Sequence, residues 1–154
     1  MLDIACFESP RALPGIGFVA TAEALKNFRR VDLASAKSAA RTKGMLVYSP
    51  QYEFDEGVFL DLKKSGGALV FSFSDLLPEK GFRRAISLSK MRLAFSSCRK
   101  AGCGFAVFTL AKDEGGLRSG RELRSFMAVL GMNEHEKKFC ESTAERLAGG
   151  KAEK

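Results

Sequence analysis

The chain has 154 residues, 45% apolar and 28% charged, an ordinary globular balance that excludes a disordered chain and makes one domain the expectation. Lys and Arg number 25 against 18 Asp and Glu, giving a net charge of +7. A domain of this length buries roughly 68–70% of its unfolded surface, so it needs no metal or disulfide to fold.

Taken in order, Leu2 to Phe7 reads as a first strand and Gly17 to Ala20 as a second, with Pro14 and Gly15 breaking the chain between them. Thr21 to Phe28 is a short helix candidate, followed by a brief apolar segment at Val31 to Leu33 and an Ala-rich helix at Ser35 to Thr42. Met45 to Tyr48 is a strand stopped by Ser49-Pro50. Val58 to Lys64 is a helix with Val58, Phe59 and Leu62 on one face. Ala68 to Phe73 is an apolar run of strand length, of the kind buried on both faces.

Phe82 to Ala101 is a long helix with a wide apolar surface: Phe82, Ile86 and Leu93 on one side, Leu88, Met91, Phe95 and Cys98 on another. Arg83, Lys90 and Ser97 form a polar spine between them, and so wide an apolar face suits a helix packed on a sheet and flanked by neighbours. Phe105 to Leu110 is another buried-type strand. Ser119 with Glu122 makes a capping-box pattern, Leu123, Phe126, Met127 and Leu130 recur at helical spacing, and Gly131 suits the helix end. Asn133 with Glu136 repeats the capping pattern and opens a last helix through Leu147.

Alternating strands and helices predict an α/β fold with mainly parallel strands, over a single domain of residues 1–148 with a disordered polar tail at 149–154. About six strand candidates fall short of the eight strands and ~250 residues of a full (β/α)₈ barrel. A trimmed barrel and a smaller open sheet both fit. No apolar run approaches the ~18 residues that span a bilayer. No secretory leader is expected, and Cys6, Cys98, Cys103 and Cys140 lack the spacing of a zinc module. Free thiols in a reducing cytoplasm are the expectation.

The charge is one-sided. Residues 1–60 are neutral overall, whereas residues 80–124 hold 11 basic and 3 acidic side chains. Such a field favours a polyanion, nucleic acid first, with a solvated basic surface as the plainer alternative. Lys112 follows a strand end, Arg118 precedes a helix N-cap and Arg121 lies in that helix's first turn. Strand carboxyl ends and helix N-termini both suit anions. Two roles are open to these arginines: contact with a phosphate, or pairing with Asp113, Glu114 or Glu122. Tyr48 and Tyr52 could stack on a base, though packing is the simpler role.

A catalytic centre is not expected. His135, the sole histidine, lies between Glu134 and Glu136. Asp3, Asp32 and Asp55 can be imagined as magnesium ligands, but a strand-end acid, a loop acid and a helix N-cap are the simpler reading.

Three stretches carry a resemblance. They are Lys43-Gly44-Met45-Leu46-Val47-Tyr48-Ser49-Pro50, then Gly67 to Leu77, then Leu117-Arg118-Ser119-Gly120-Arg121-Glu122-Leu123 with Val129-Leu130-Gly131-Met132 behind it. In order and spacing, residues 44–147 resemble the archaeal ribonuclease P protein component 3 family, the thirty-kilodalton subunit family. The last stretch is similar to that family's Arg-Ser-Pro-Arg-Asp-Leu segment.

The resemblance implies a TIM-like barrel with no catalytic centre of its own. It implies binding to ribonuclease P RNA together with the component 2 protein, in a holoenzyme that removes the 5′ leader from precursor tRNA. The protein itself would hold no cofactor, magnesium acting through the RNA, and no membrane would be involved. Arg118 takes the place of the family's RNA-contacting arginine, and Lys63 or Lys64 that of a lysine before the middle strand. With the basic loop and long helix, the expected RNA-binding set is Arg118, Arg121, Lys112, Lys63, Lys64, Arg83 and Lys90. Gly120 and Glu122 depart from the motif's proline and aspartate, and the N-terminal half is shorter by tens of residues, which implies an incomplete barrel. Two other readings stand beside this one: a structural RNA-binding protein of another ribonucleoprotein, and a metal-dependent phosphoesterase.

Overall fold

The computed structural model describes residues 2–6, 12–13, 17–22 and 25–149. Among these the strands are β1 (Leu2–Ala5), β2 (Ala12–Leu13), β3 (Gly17–Thr21), β4 (Phe28–Arg30), β5 (Leu46–Tyr48), β6 (Ala68–Ser72) and β7 (Gly104–Phe108). The helices are α1 (Ala36–Arg41), α2 (Glu56–Ser65), α3 (Gly81–Ala101), α4 (Gly120–Val129) and α5 (Glu134–Ala144), which runs on into a π-helical turn, Glu145–Gly149. Phe7, Pro14, Gly15 and residues 150–154 lie outside the described residues, so the expected end of the first strand, the break after it and most of the tail do too.

One ladder runs β4-β5-β6-β7, all parallel. A second runs β1-β3-β2, with β1 and β3 parallel and β2 antiparallel on the far edge of β3. The two join where the chain leaving β7 pairs with β1: Leu110 N–H donates to the Ile4 carbonyl at 2.9 Å, and Cys6 N–H to the Ala111 carbonyl at 2.7 Å. Asp3 fastens this seam. Its carboxylate accepts the Thr109 N–H (2.7 Å), the Thr109 hydroxyl (2.6 Å) and the Ile4 N–H (2.9 Å), all out of water.

The order β3-β1-β7-β6-β5-β4 is that of a (β/α) barrel whose last strand has returned to its first. Among the described residues no ladder joins β2 or β3 to β4. The fold is therefore a trimmed TIM-like barrel, open on one side.

The helix expected over Thr21 to Phe28 does not form: residues 26–27 are a turn and Phe28–Arg30 is a strand. The reason is pairing: Phe28, Arg29 and Arg30 lie in register with Leu46, Val47 and Tyr48 of β5, and a parallel neighbour overrides local helix propensity.

Residues of β5, β6 and β7 are buried almost throughout, as strands covered on both faces require. Rings run through the core in contact: Tyr52 on Phe71 (5.8 Å between centroids), Phe71 on Phe95 (6.3 Å), Phe95 on Phe105 (5.0 Å) and Phe105 on Phe139 (5.2 Å). At the amino ends of β6 and β7 the strands come so close that a Cβ on Gly67 would lie 2.5 Å from the Met45 carbonyl oxygen, and one on Gly104 2.7 Å from that of Gly67. Only glycine fits there.

In α3 the buried stripe is Met91, Ala94, Phe95 and Cys98. The second apolar side is not packed: Phe82 is 81% exposed and Leu93 71%, with Ile86 also exposed. A helix lying against a sheet buries the one stripe that faces it, and α2 and α4 do not extend over the other.

The end of α5 reaches the amino end of the barrel. Asn27 Nδ2 donates to the Leu147 carbonyl (2.7 Å) and the Gly44 carbonyl (3.0 Å), and Arg146 to the Gly66 carbonyl (3.2 Å).

Candidate nucleic-acid interface

At the carboxyl ends of the strands, the β7–α4 loop is built from short local bonds. Asp113 accepts the Gly116 N–H through Oδ1 (3.1 Å) and closes a 3₁₀ turn at Glu114–Gly116. Ser119 Oγ accepts the Glu122 N–H, and Glu122 Oε2 accepts the Ser119 N–H (2.8 Å), so the expected capping box starts α4. Its cap holds the Glu122 carboxyl below the usual carboxylate range. Leu123, Phe126, Met127 and Leu130 are buried, and Gly131 follows at φ +101°.

Arg118 is fixed by this loop. Its Nη1 donates to the Gly115 and Leu117 carbonyls, each at 2.8 Å, and its guanidinium lies over the Phe73 ring, 5.3 Å from the centroid. Phe73 is held from its other side by Phe126 of α4, at 5.3 Å. Arg121, one turn on, is exposed, and its side chain makes no hydrogen bond or ion pair among the described residues; nor does that of Lys112. Neither arginine forms an ion pair with Asp113, Glu114 or Glu122. Arg118 and Arg121 thus flank an α-helix N-terminus where the backbone N–H groups already favour negative charge, while Lys112, at the start of the same loop, faces the barrel mouth.

The remaining expected residues are not gathered there. Arg83 is exposed in the first turn of α3. Lys90 binds Glu53 at 3.0 Å across the surface. Lys63 and Lys64 close α2, and Lys63 lies beside Gly102 at the end of α3, at the opposite end of the barrel. The separation follows from connectivity: a helix returning from one parallel strand to the next ends where the next strand begins.

Next to the basic loop, the barrel mouth contains a cavity of about 420 Å³. Its lining includes Phe28, Arg30, Tyr48, Tyr52, Asp75 and Lys112. Tyr48 and Tyr52 do not present free rings. Both are buried, and their hydroxyls donate to Asp75, at 2.8 Å to each oxygen from Tyr48 and 2.7 Å from Tyr52. The Tyr52 oxygen in turn accepts the Ser72 N–H at 2.8 Å. Burial raises the Asp75 carboxyl above its ordinary value, against the pull of the two tyrosines and of Arg30 and Lys112. Burial and the neighbouring carboxylate push both phenols up.

Arg30, Asp75 and Ser72 were not singled out from the sequence. The signal available was position: Ser72 closes the apolar strand β6, Asp75 lies in the turn after it, and Arg30 closes β4. Asp3, Asp32 and Asp55 lie apart: Asp3 accepts from Thr109, Asp32 from the Ser35 N–H and hydroxyl (2.8 Å each), and Asp55 stands at the N-cap position of α2 without a side-chain capping bond.

No protein-family model matches the chain, and no curated protein matches it. Among solved structures, a chain in a cryo-EM structure of archaeal ribonuclease P with mature tRNA is similar in fold. The TM-score is 0.72 at 16% identity, over 82% of this chain and 57% of that one. The chain thus spans little more than half the length of that neighbour.

Proposed function

We propose that the chain is a protein subunit of ribonuclease P that binds the catalytic RNA and supports removal of the 5′ leader from precursor tRNA. The supporting observation is the coincidence of a barrel like that of a chain in archaeal ribonuclease P with a loop-fixed Arg118 and an exposed Arg121 at a strand-top helix N-terminus, neither of them in an ion pair among the described residues. In this reading Arg118 and Arg121 meet RNA phosphates, with Lys112, Arg83 and Lys90 extending the field on the same half of the molecule. Lys63 and Lys64 serve a second contact at the far end. The chemistry belongs to the RNA and its magnesium ions, and the component 2 protein is the expected protein partner, in a cytoplasmic particle.

The test is reconstitution. Arg118→Ala is expected to weaken binding to ribonuclease P RNA by about 1–3 kcal/mol, to reduce the salt dependence of binding by roughly one phosphate contact, and to leave the circular dichroism spectrum unchanged. A particle whose activity is the same with and without the protein, across magnesium concentrations, would overturn the reading.

A further inference from the structure

The cavity at the barrel mouth has a division of character that the basic loop lacks. Its inner wall is largely apolar and aromatic: Phe28 stacks on Tyr48 (6.2 Å, 29° between planes), and Ile86 stands exposed at the mouth. Two cations from opposite sides face it, Arg30 from the end of β4 and Lys112 from beyond β7. Both are exposed, and neither side chain makes a hydrogen bond or ion pair among the described residues, although both act at longer range on the Asp75 carboxyl. The two acids that line it are Asp75 and Glu79. Asp75 already accepts two phenolic hydroxyls, and Lys90, the third cation of the lining, is taken by Glu53.

The cavity is also held open by unusual backbone. Tyr52 (φ +53°) and Leu110 (φ +46°) are the non-glycine residues in the left-handed region among the described residues, and both line it. Bulky residues adopt that conformation only where the surroundings enforce it, and such positions gather at ligand sites.

An apolar, aromatic-sided hollow with two cations at its rim, neither in a direct ion pair among the described residues, suits a flat ring carrying an anionic group. We propose that this cavity is a binding site for a single nucleotide, its base seated beside Phe28 and Ile86 and its phosphate between Arg30 and Lys112. This rests on the RNA-binding reading in one respect: the nucleotide it takes is then an unpaired one of the bound strand. The shape requires no particular sequence, because every base offers a ring face.

The experiment titrates the full chain with AMP and, separately, with inorganic phosphate, following backbone amide shifts by NMR. Saturable shifts confined to the strand-top residues around Phe28, Arg30, Ser72 and Lys112 are expected, with AMP binding more tightly than phosphate. Arg30→Gln or Lys112→Gln should each weaken AMP at least about tenfold. Ser87→Trp, which fills the lining without touching a cation, should abolish AMP binding, and Lys100→Gln at the far end of α3 should match the wild type. Absence of saturable shifts, shifts insensitive to Arg30→Gln and Lys112→Gln, or phosphate binding as tightly as AMP would overturn the proposal. No RNA enters this titration. A failure here therefore leaves the Arg118 reading standing, whereas wild-type protein that binds AMP but not ribonuclease P RNA sinks that reading alone.

Discussion

Asp3 shows how one side chain can hold two sheets in register. It is 1% exposed and accepts three hydrogen bonds, two of them from Thr109 across the seam. Asp3→Ala would leave the Thr109 N–H and hydroxyl buried without their acceptor, a cost of about 1–3 kcal/mol, measurable as a lower urea midpoint. Burial raises the Asp3 carboxyl above its ordinary value near 3.8 despite those donors. The folded chain therefore holds this proton to higher pH than the unfolded chain does. Its contribution to stability is fully present below about pH 4 and declines as pH rises through the raised value. Denaturation of wild type and Asp3→Asn in steps across that window is expected to show the wild-type advantage shrinking with rising pH. A sequence reading places Asp3 at a strand end but has no access to this role, because its partner lies 106 residues away.

At the scale of elements, local chemistry was legible and packing was not. The capping boxes at Ser119 and Asn133 form as the spacing of their acids predicts, because all their atoms lie within four residues. Ser119→Ala should cost about 1 kcal/mol, read from thermal unfolding, and loosen the loop that positions Arg118. The composition of 21–28 is helix-prone, but Phe28 belongs to β4 by its pairing with Leu46, a partner 18 residues away that local propensity does not register. The long helix α3 was placed correctly, but which apolar stripe it buries depends on the neighbours. Phe95 sits among Phe71, Phe105 and the Arg99 guanidinium, 4.8 Å from its ring centroid. Phe95→Ala is expected to lose about 3–5 kcal/mol, whereas Leu93→Gln on the exposed stripe should change stability by less than about 0.5 kcal/mol. Equal losses from the two would contradict the packing described.

For the molecule as a whole, the parallel architecture and the basic second half were readable from alternation and charge, whereas a trimmed barrel and a smaller open sheet fitted the strand count equally well, because strand order depends on pairing between distant segments. The cavity was not readable, since its lining comes from six stretches separated by long intervals. The two ladders differ in support. β6 is flanked on both sides by strands, β7 has β6 on one side and the seam with β1 at its carboxyl end, and both are buried, while β3 is bordered on its outer edge by a two-residue strand among the described residues. Hydrogen exchange should therefore divide along the seam, with β6 and β7 amides protected to the level of global unfolding and β3 amides exchanging through smaller openings. Uniform protection across both ladders would show that the barrel opens as one unit.

The Asp3–Thr109 seam has a mechanical consequence. With the ladders joined along one line, and no further strand pairing the outer edges of β2 and β4 among the described residues, the molecule is built as a clasp with its pivot at the seam. Arg30 at the lip and Lys112 beside the pivot stand on the same arm, so a ligand that bridges them would brace the β4–β7 arm without setting the angle between the arms. That angle is left to the Asp3–Thr109 bonds, and loosening them would let the outer edges part while the spacing of the two cations stays the same.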